Sequence, residues 1–148
     1  MQDDAPYTYA GANGKSVNNY DRRYRGFTTL REAITDSINI VTVKTLAQAG
    51  VSLGWQYVQE YGFTTVDSRD MNEALALGGI TQGVSNLELT AAYAAIANQG
   101  TYIKPKFYTK ILDHDGNVLI DNTTPESHTV IKDTTASVSY THLRAHET

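Results

Sequence analysis

The sequence predicts an α+β fold, and three observations support this prediction. The segments 29–32 (Thr-Leu-Arg-Glu) and 85–88 (Ser-Asn-Leu-Glu) are capping boxes, in which the first side chain and the Glu satisfy each other's backbone amides. Apolar residues follow both boxes at helical spacing. Farther along, short apolar runs flank 115–116 (Asp-Gly), a typical two-residue hairpin turn. Helices followed by a β segment give an α+β outline.

The first capping box starts a helix whose apolar stripe is formed by Leu30, Ala33 and Ile34. The run 38–43 (INIVTV) then contains five β-branched residues, and propensity alone favours a strand there. The next residues, 44–49, are again typical of a helix, and Gly50 suits its end. The sequence therefore predicts two helices that are broken or bent near residues 37–39.

The other elements follow from turn residues and from changes of period. Residues 1–26 are polar and rich in turn residues, including the Gly and Asn of 11–14, which predicts a loop with one short strand. A third helix is predicted from Ser52 to Tyr61, and a buried, Ala-rich helix is predicted after the second capping box. The remaining predictions are a short helical segment that is capped by residues 70–73 and ends before the loop at 78–79, a helix stop at Gly100 and strands at 106–111 and 118–120.

Composition excludes several classes of protein. The 148 residues are 41% hydrophobic, which suits one domain with a real core, and no run of 18 apolar residues could span a membrane. The net charge of −4, with scattered Lys and Arg, argues against nucleic-acid binding and against a basic membrane patch. The absence of Cys excludes disulfides and thiolate metal sites, and the polar start is not a signal peptide.

Several polar and aromatic residues invite functional interpretations, but ordinary turn, surface or packing roles explain most of them better. Residues 113–117 (DHDGN) resemble a calcium loop, but Gly is fourth rather than sixth and the bidentate Glu is missing, so a turn is predicted. His114 and His128 have no partner at metal-ligand spacing and are predicted to be surface residues. A glycosidase pair such as Glu60 with Asp67 remains a weak alternative. Packing is predicted for four tyrosines: Tyr20, Tyr24, Tyr93 and Tyr102.

The segment 37–39 (Ser-Ile-Asn) carries little information by itself. Ser and Asn side chains bond to neighbouring backbone groups and disrupt helices, so they explain a bend without any catalysis. Its surroundings give it more weight. Four stretches, 4–6 (DAP), 19–26 (NYDRRYRG), 28–46 and 76–100, together resemble the transpeptidase domain of class A penicillin-binding proteins. Their order and spacing are similar to those of the family, and the likeness covers about residues 3–133.

The resemblance implies a partial serine β-lactamase/transpeptidase-like fold, mainly its helical part plus a C-terminal β-hairpin. The active site of the family uses Ser-x-x-Lys, Ser-x-Asn and Lys-Thr-Gly. Only the second element is present here, which makes Ser37 and Asn39 the candidate catalytic residues. No Ser-x-x-Lys or Lys-Thr-Gly occurs in the 148 residues. The chain is therefore expected to be an inactive fragment of a serine-type D,D-transpeptidase, with a fused glycosyltransferase left open.

The resemblance also implies the chemistry and the partners of the parent protein. A Ser, activated by a Lys one helical turn away, would attack the bond between two D-alanines of a peptidoglycan stem peptide, and β-lactams would acylate the same Ser. No cofactor, metal or nucleic acid is expected. The parent protein is expected at the extracytoplasmic face of the bacterial cell membrane, through an anchor missing here. The oligomeric state stays open.

The last segment, 138–148 (VSYTHLRAHET), resembles the translation of a transposase adapter used in sequencing libraries. The expected organisation is therefore a partial penicillin-binding transpeptidase domain at 1–137 and a non-native tail at 138–148. Two alternatives remain for the function. One is a β-lactam sensor or β-lactamase of the same fold, and the other is a non-enzymatic α+β binding module in which residues 37–39 merely bend a helix.

Overall fold

The computed structural model describes residues 1–10 and 15–144 of the chain. The chain divides into two compact units: unit 1 comprises Met1–Gln59 and Thr64–Val84, and unit 2 comprises Glu60–Phe63 and Ser85–Thr148. Helices alternate with short antiparallel strand pairs along the chain. This architecture confirms the predicted α+β class.

The described part of unit 1 combines two small sheets with two helices and most of a third. Gln2 pairs with Thr28 in the first sheet, and Tyr7 pairs with Val17 in the second. The elements are β1 (Gln2–Asp4), β2 (Tyr7–Thr8), β3 (Ser16–Val17), β4 (Gly26–Thr28), α1 (Leu30–Thr35), α2 (Asn39–Ala49) and α3 (Val51–Glu60). The predicted pair of helices, interrupted near residues 37–39, is confirmed.

Both predicted capping boxes are present. The Thr29 hydroxyl accepts a hydrogen bond from the backbone N–H of Glu32 at 3.2 Å, and the Glu32 carboxylate accepts one from the backbone N–H of Thr29 at 2.8 Å. Ser85 and Glu88 form the same reciprocal pair, at 3.2 and 3.1 Å. Because these bonds satisfy amides that a helix start leaves without partners, they fix where both helices begin.

Helix α2 supplies core side chains to unit 1. Ile40 and Val43 are fully buried and pack against Val17, while Val41 packs against Ala33 and Ile38 in a second cluster. Burying such a side chain contributes roughly 1.5–3 kcal/mol, whereas its lower helix propensity costs less than about 0.7 kcal/mol. Burial therefore decides the conformation of a segment that propensity alone would place in a strand.

A buried carboxylate organises the segment after α3. Asp70 accepts hydrogen bonds from the Thr81 hydroxyl at 2.6 Å, the Thr81 backbone N–H at 2.8 Å and the Asp67 backbone N–H at 3.0 Å. These bonds, led by the Thr81 hydroxyl, favour the charged form and lower the pKa of Asp70. The short helical segment predicted between the cap at 70–73 and Gly78 is present as the 3₁₀ helix Glu73–Leu77, and a further 3₁₀ turn, Ser68–Asp70, precedes it.

Unit 2 is built around an Ala-rich helix. Its described elements are α4 (Asn86–Ala97), β5 (Thr101–Ile103), β6 (Lys110–Leu112), β7 (Val118–Asp121), β8 (Ser127–Thr129) and α5 (Asp133–Arg144). Strand β5 pairs with β8 and β6 pairs with β7, both antiparallel. Ala91 and Ala95 of α4 form the core with Tyr102 and Val130. The small Ala side chains allow this close packing.

The hairpin prediction is confirmed, although its first strand is shorter than expected. Strand β6 begins at Lys110 rather than at 106, and every residue of β6 and β7 is exposed. The Asp113 carboxylate accepts the backbone N–H groups of Asp115 and Asn117, at 2.9 and 2.8 Å. Residues 113–117 therefore follow turn chemistry rather than calcium-loop chemistry, as predicted.

Other elements differ from the prediction. Residues 2–28 contain β1 to β4 rather than one short strand, and the sequence pattern does not predict β5, β8 or α5. Helix α4 is buried along Ala91, Ala92 and Ala95, but Leu87 and Tyr93 are 44% and 55% exposed. Strands of two or three residues are too short to show an alternating pattern, which explains why periodicity misses them.

Helix α5 runs through residue 138, where the adapter-like segment was predicted to begin. The boundary between 1–137 and 138–148 therefore does not coincide with the end of a helix, and the origin of the tail stays a prediction. Residues 145–148 and the turn residues 11–14 lie outside the described parts of the chain.

Gly100 provides a stability test of unit 2. Its φ is +85°, and a Cβ at this position would overlap the carbonyl oxygen of Ile131. Gly100→Ala should lower the free energy of unfolding by about 2–5 kcal/mol, because left-handed backbone costs about 1–2 and overpacking about 1–3 kcal/mol. Gly116, with φ +86° and open space around it, is the matched control. Gly116→Ala should cost only about 1–2 kcal/mol. Chemical denaturation measures both, and equal costs would contradict the packing described.

Candidate active site at the corner between α1 and α2

The chain turns a tight corner between α1 and α2. Ser37 has a φ of +52°, in the left-handed region, and its backbone N–H donates to the Ile34 carbonyl at 3.3 Å. The N–H of Ile38 donates to the Ala33 carbonyl at 2.9 Å, and the Ile38 side chain is only 1% exposed. Because Ile38 is buried in the core, the corner leaves Ser37 exposed and Asn39 half-buried.

The Asn39 amide is held by the backbone of a distant loop. Its Nδ2 donates a hydrogen bond to the Asn18 carbonyl oxygen at 2.9 Å. An amide has two N–H hydrogens and one acceptor oxygen, so this bond uses one hydrogen and defines the direction of the group. The second N–H of the Asn39 amide and its carbonyl oxygen can therefore still bind another group.

A buried polar pair lies behind the corner. Asp4 and Asn19 are 0% and 4% exposed, and Asn19 Nδ2 donates to both carboxylate oxygens of Asp4, at 2.8 and 3.0 Å. The Asn19 Oδ1 accepts the backbone N–H of Ile40, in the first turn of α2, at 3.3 Å. Neither residue has a role predicted from the sequence, although both lie in the stretches that carry the family resemblance.

The Arg25 guanidinium places a positive charge among three carboxylates beside the corner. Its guanidinium lies 3.0 Å from Asp21, and 3.9 Å from both Asp4 and Asp36. The Arg23 backbone N–H, followed by the charge of Arg25, holds the pKa of Asp21 below its usual value. Since Arg25 is partly exposed, these ion pairs contribute little stability, but they compensate the negative charge beside Ser37.

A small cavity of about 180 Å³ opens at the corner. It is lined by Asn19, Tyr20, Asp21, Arg25, Asp36, Ser37 and Ile38. Lys44, in α2, donates its ammonium to the Asp3 carbonyl at 2.7 Å and so is engaged elsewhere. A serine hydroxyl needs a neighbouring base to become a nucleophile. The Lys44 ammonium is therefore not placed to act as that base for Ser37.

Comparisons with known proteins identify the family. The family model described as "Penicillin binding protein transpeptidase domain" matches residues 2–146. The chain belongs to this family. Penicillin-binding protein 1F of Bacillus subtilis is 43% identical over 104 residues, which cover 70% of this chain and 14% of that protein. Penicillin-binding protein 1A of Clostridium novyi is 34% identical over 140 residues, covering 93% of this chain and 16% of that protein.

The fold of a solved structure agrees with this assignment. The crystal structure of penicillin-binding protein 1A from Haemophilus influenzae has a TM-score of 0.69 and 29% identity, covering 84% of this chain and 18% of that one. The predicted transpeptidase family and its α+β fold are thus confirmed. The chain spans 14% and 16% of the lengths of the two relatives above.

The other residues that the sequence singles out lie in different local surroundings. The Asp67 carboxylate binds the neighbouring Arg69, whose hydrogen bonds lower the pKa of Asp67 to about 2. His114 is exposed, as predicted, and His128 is also exposed, with its Nε2 2.8 Å from the Glu60 carbonyl oxygen. The packing prediction is right for one of four tyrosines: Tyr102 is buried, whereas Tyr20, Tyr24 and Tyr93 are exposed.

The described residues contain neither a metal-ligand cluster nor a membrane-spanning helix. Within residues 1–10 and 15–144, no three His, Asp or Glu side chains are grouped as a metal-ligand set. In the same part of the chain, no helix has the length and apolar character needed to cross a bilayer.

Proposed function

We propose that this chain is part of a peptidoglycan D,D-transpeptidase and that Ser37 and Asn39 are the Ser-x-Asn element of its acyl-serine centre. The observation that carries the proposal is the corner itself. Ile38 anchors it in the core, while the side chains on both sides of Ile38 remain accessible and one of them lines a cavity. Family membership supplies the chemistry in which such a hydroxyl and amide are used.

In the proposed reaction, a serine of the parent protein attacks the carbonyl carbon between two D-alanines of a stem peptide. The Ser37 hydroxyl passes a proton toward the departing D-alanine nitrogen, so that the C–N bond breaks and an acyl-serine remains. Asn39 orients the Lys that acts as base and donates an amide N–H to the substrate backbone. An amine from a second stem peptide then replaces the serine oxygen and completes the crosslink.

The nucleophile, its Lys and the Lys-Thr-Gly element are proposed to come from residues of the parent protein that this chain does not include. The small share of each relative that the chain spans supports this proposal. The proposed partners are peptidoglycan stem peptides and β-lactams, and the proposed location is the extracytoplasmic face of the cell membrane. Genomic reads through both ends would test this proposal and the origin of residues 138–148 directly.

Labelling with a fluorescent penicillin tests the function. The intact parent protein should form a stoichiometric covalent adduct that excess unlabelled penicillin prevents, whereas the 148-residue chain should form none, because it lacks Ser-x-x-Lys. A covalent adduct of the 148-residue chain would refute the assigned roles. A parent protein that binds no penicillin would instead favour a non-enzymatic module. An adduct that water releases rapidly would favour a β-lactamase.

A further inference from the structure

The Asn19 side chain uses both of its N–H donors and its carbonyl oxygen in hydrogen bonds inside unit 1. One Nδ2 hydrogen is directed to the Asp4 carboxylate, at 2.8 and 3.0 Å, and the other to the Arg23 carbonyl at 2.8 Å. Its Oδ1 accepts the Ile40 backbone N–H at 3.3 Å. Asp has no N–H to donate and Leu has neither donor nor acceptor, so only an amide of this length can make all these bonds.

The Ile40 contact caps helix α2 from a distant part of the chain. The first turn of a helix has backbone N–H groups without helical partners, and a side chain at the N-cap position usually accepts one of them. Here the N-cap residue is Ile38, which has no side-chain oxygen. Asn19, 21 residues earlier, supplies the missing acceptor. The start of α2 therefore depends on the position of the Asn19 side chain.

The neighbouring residue makes a second bond to the same turn. The Asn18 carbonyl accepts the Asn39 amide at 2.9 Å while Asn19 accepts the N–H of Ile40. Two consecutive residues of one loop thus hold two consecutive residues of α2. This pairing fixes both the direction of the Asn39 amide and the register of the loop against the corner.

Asp4 makes the arrangement rigid. Its fully buried carboxylate accepts hydrogen bonds from the Asn19 amide and, at 2.9 Å, from the backbone N–H of Arg25. Asp4 therefore holds both ends of the segment 19–25. We propose that Asn19 is a positioning residue for the Ser37–Asn39 corner, acting through Asp4, Ile40 and the Asn18 carbonyl. This inference rests on the function proposed above for the corner.

The test uses the intact parent protein and measures two quantities for each variant: the melting temperature and the second-order rate constant of acylation by a fluorescent penicillin. Asn19→Asp places a second carboxylate against Asp4 and removes both N–H donors. Acylation should fall about 10–100-fold at a temperature where the variant is folded, since a displacement of about 1 Å can cost that much. Asp4→Asn with Asn19→Asp restores an N–H donor between residues 4 and 19 and keeps an acceptor for Ile40, but it does not restore the bond to the Arg23 carbonyl. The double variant should therefore recover part of the rate.

Thr81→Val is the matched control. It removes a hydroxyl donor from Asp70, which is another buried carboxylate of unit 1. Thr81 does not line the cavity at Ser37. It should lower the melting temperature and leave acylation within about twofold. If Asn19→Asp does not fold, Asn19→Ser, which replaces the amide with one short hydroxyl and adds no charge, is used in its place. Acylation that falls no further than in Thr81→Val, or a double variant that regains stability without rate, would overturn the positioning role. Failure of the wild type to react would instead overturn the proposed function.

Discussion

Ser37→Ala in the intact protein is expected to slow acylation by penicillin about 100–10,000-fold, the contribution typical of one positioned proton-transfer group. The substitution removes a single oxygen from an exposed side chain. Ala tolerates the left-handed backbone at this position no worse than Ser does, so the corner should keep its conformation. The loss should therefore appear in the acylation rate while the melting temperature stays close to that of the wild type.

Ser16→Ala is the matched control for this experiment, because Ser16 is an exposed serine of strand β3 in the same unit. It should leave both the rate and the melting temperature unchanged. Asn39→Ala should slow acylation in the same direction as Ser37→Ala. If Ser37→Ala reacts as fast as Ser16→Ala, Ser37 has no part in proton transfer and the assignment of the corner fails.

Ile38→Ala in the 148-residue chain is expected to lower the free energy of unfolding by about 2–5 kcal/mol, the cost typical of emptying a buried Ile site. Ile38 is 1% exposed and packs with Ala33 and Val41. Its removal leaves a cavity under the corner, because the helices on either side are joined by only three residues and cannot both close over it. Denaturant unfolding followed by circular dichroism measures the change.

Ile34→Ala is the same chemical change four residues earlier, at a side chain that is 47% exposed. It should cost less than about 1 kcal/mol, since little apolar surface leaves the core. Similar costs for the two variants would mean that Ile38 is not buried as described. The corner would then lack its anchor, and the accessible placement of Ser37 and Asn39 would have no structural basis.

Helices α1 and α4 were predictable because their signals are local. The capping boxes at Thr29 and Ser85 involve side chains three residues apart, and such a signal needs no knowledge of the fold. The interruption at residues 37–39 also has a local cause, since Ser and Asn compete for backbone hydrogen bonds. Strands such as Tyr7–Thr8 have no comparable signal, because their pairing with Ser16–Val17 depends on a loop closing between them.

The candidate site was only partly predictable for the same reason. The motif resemblance pointed to Ser37 and Asn39, but the contacts that hold them join residues far apart in sequence. Asn19 meets Asp4 across 15 residues and Ile40 across 21. A buried polar pair of this kind has no periodic signature, and its members look like ordinary loop residues. Tyr20 is an error of the opposite kind: packing is predicted because aromatic side chains are usually buried, but this side chain is exposed.

The left-handed backbone at Ser37 has a consequence for attempts to engineer this protein. Glycine adopts that conformation without the penalty of about 1–2 kcal/mol that a Cβ carries. A search guided by thermal robustness alone would therefore choose Gly at position 37 and delete the hydroxyl that the proposed chemistry requires. Stability and the proposed proton transfer thus compete at a single residue, and a stabilised variant should draw its improvements from other positions.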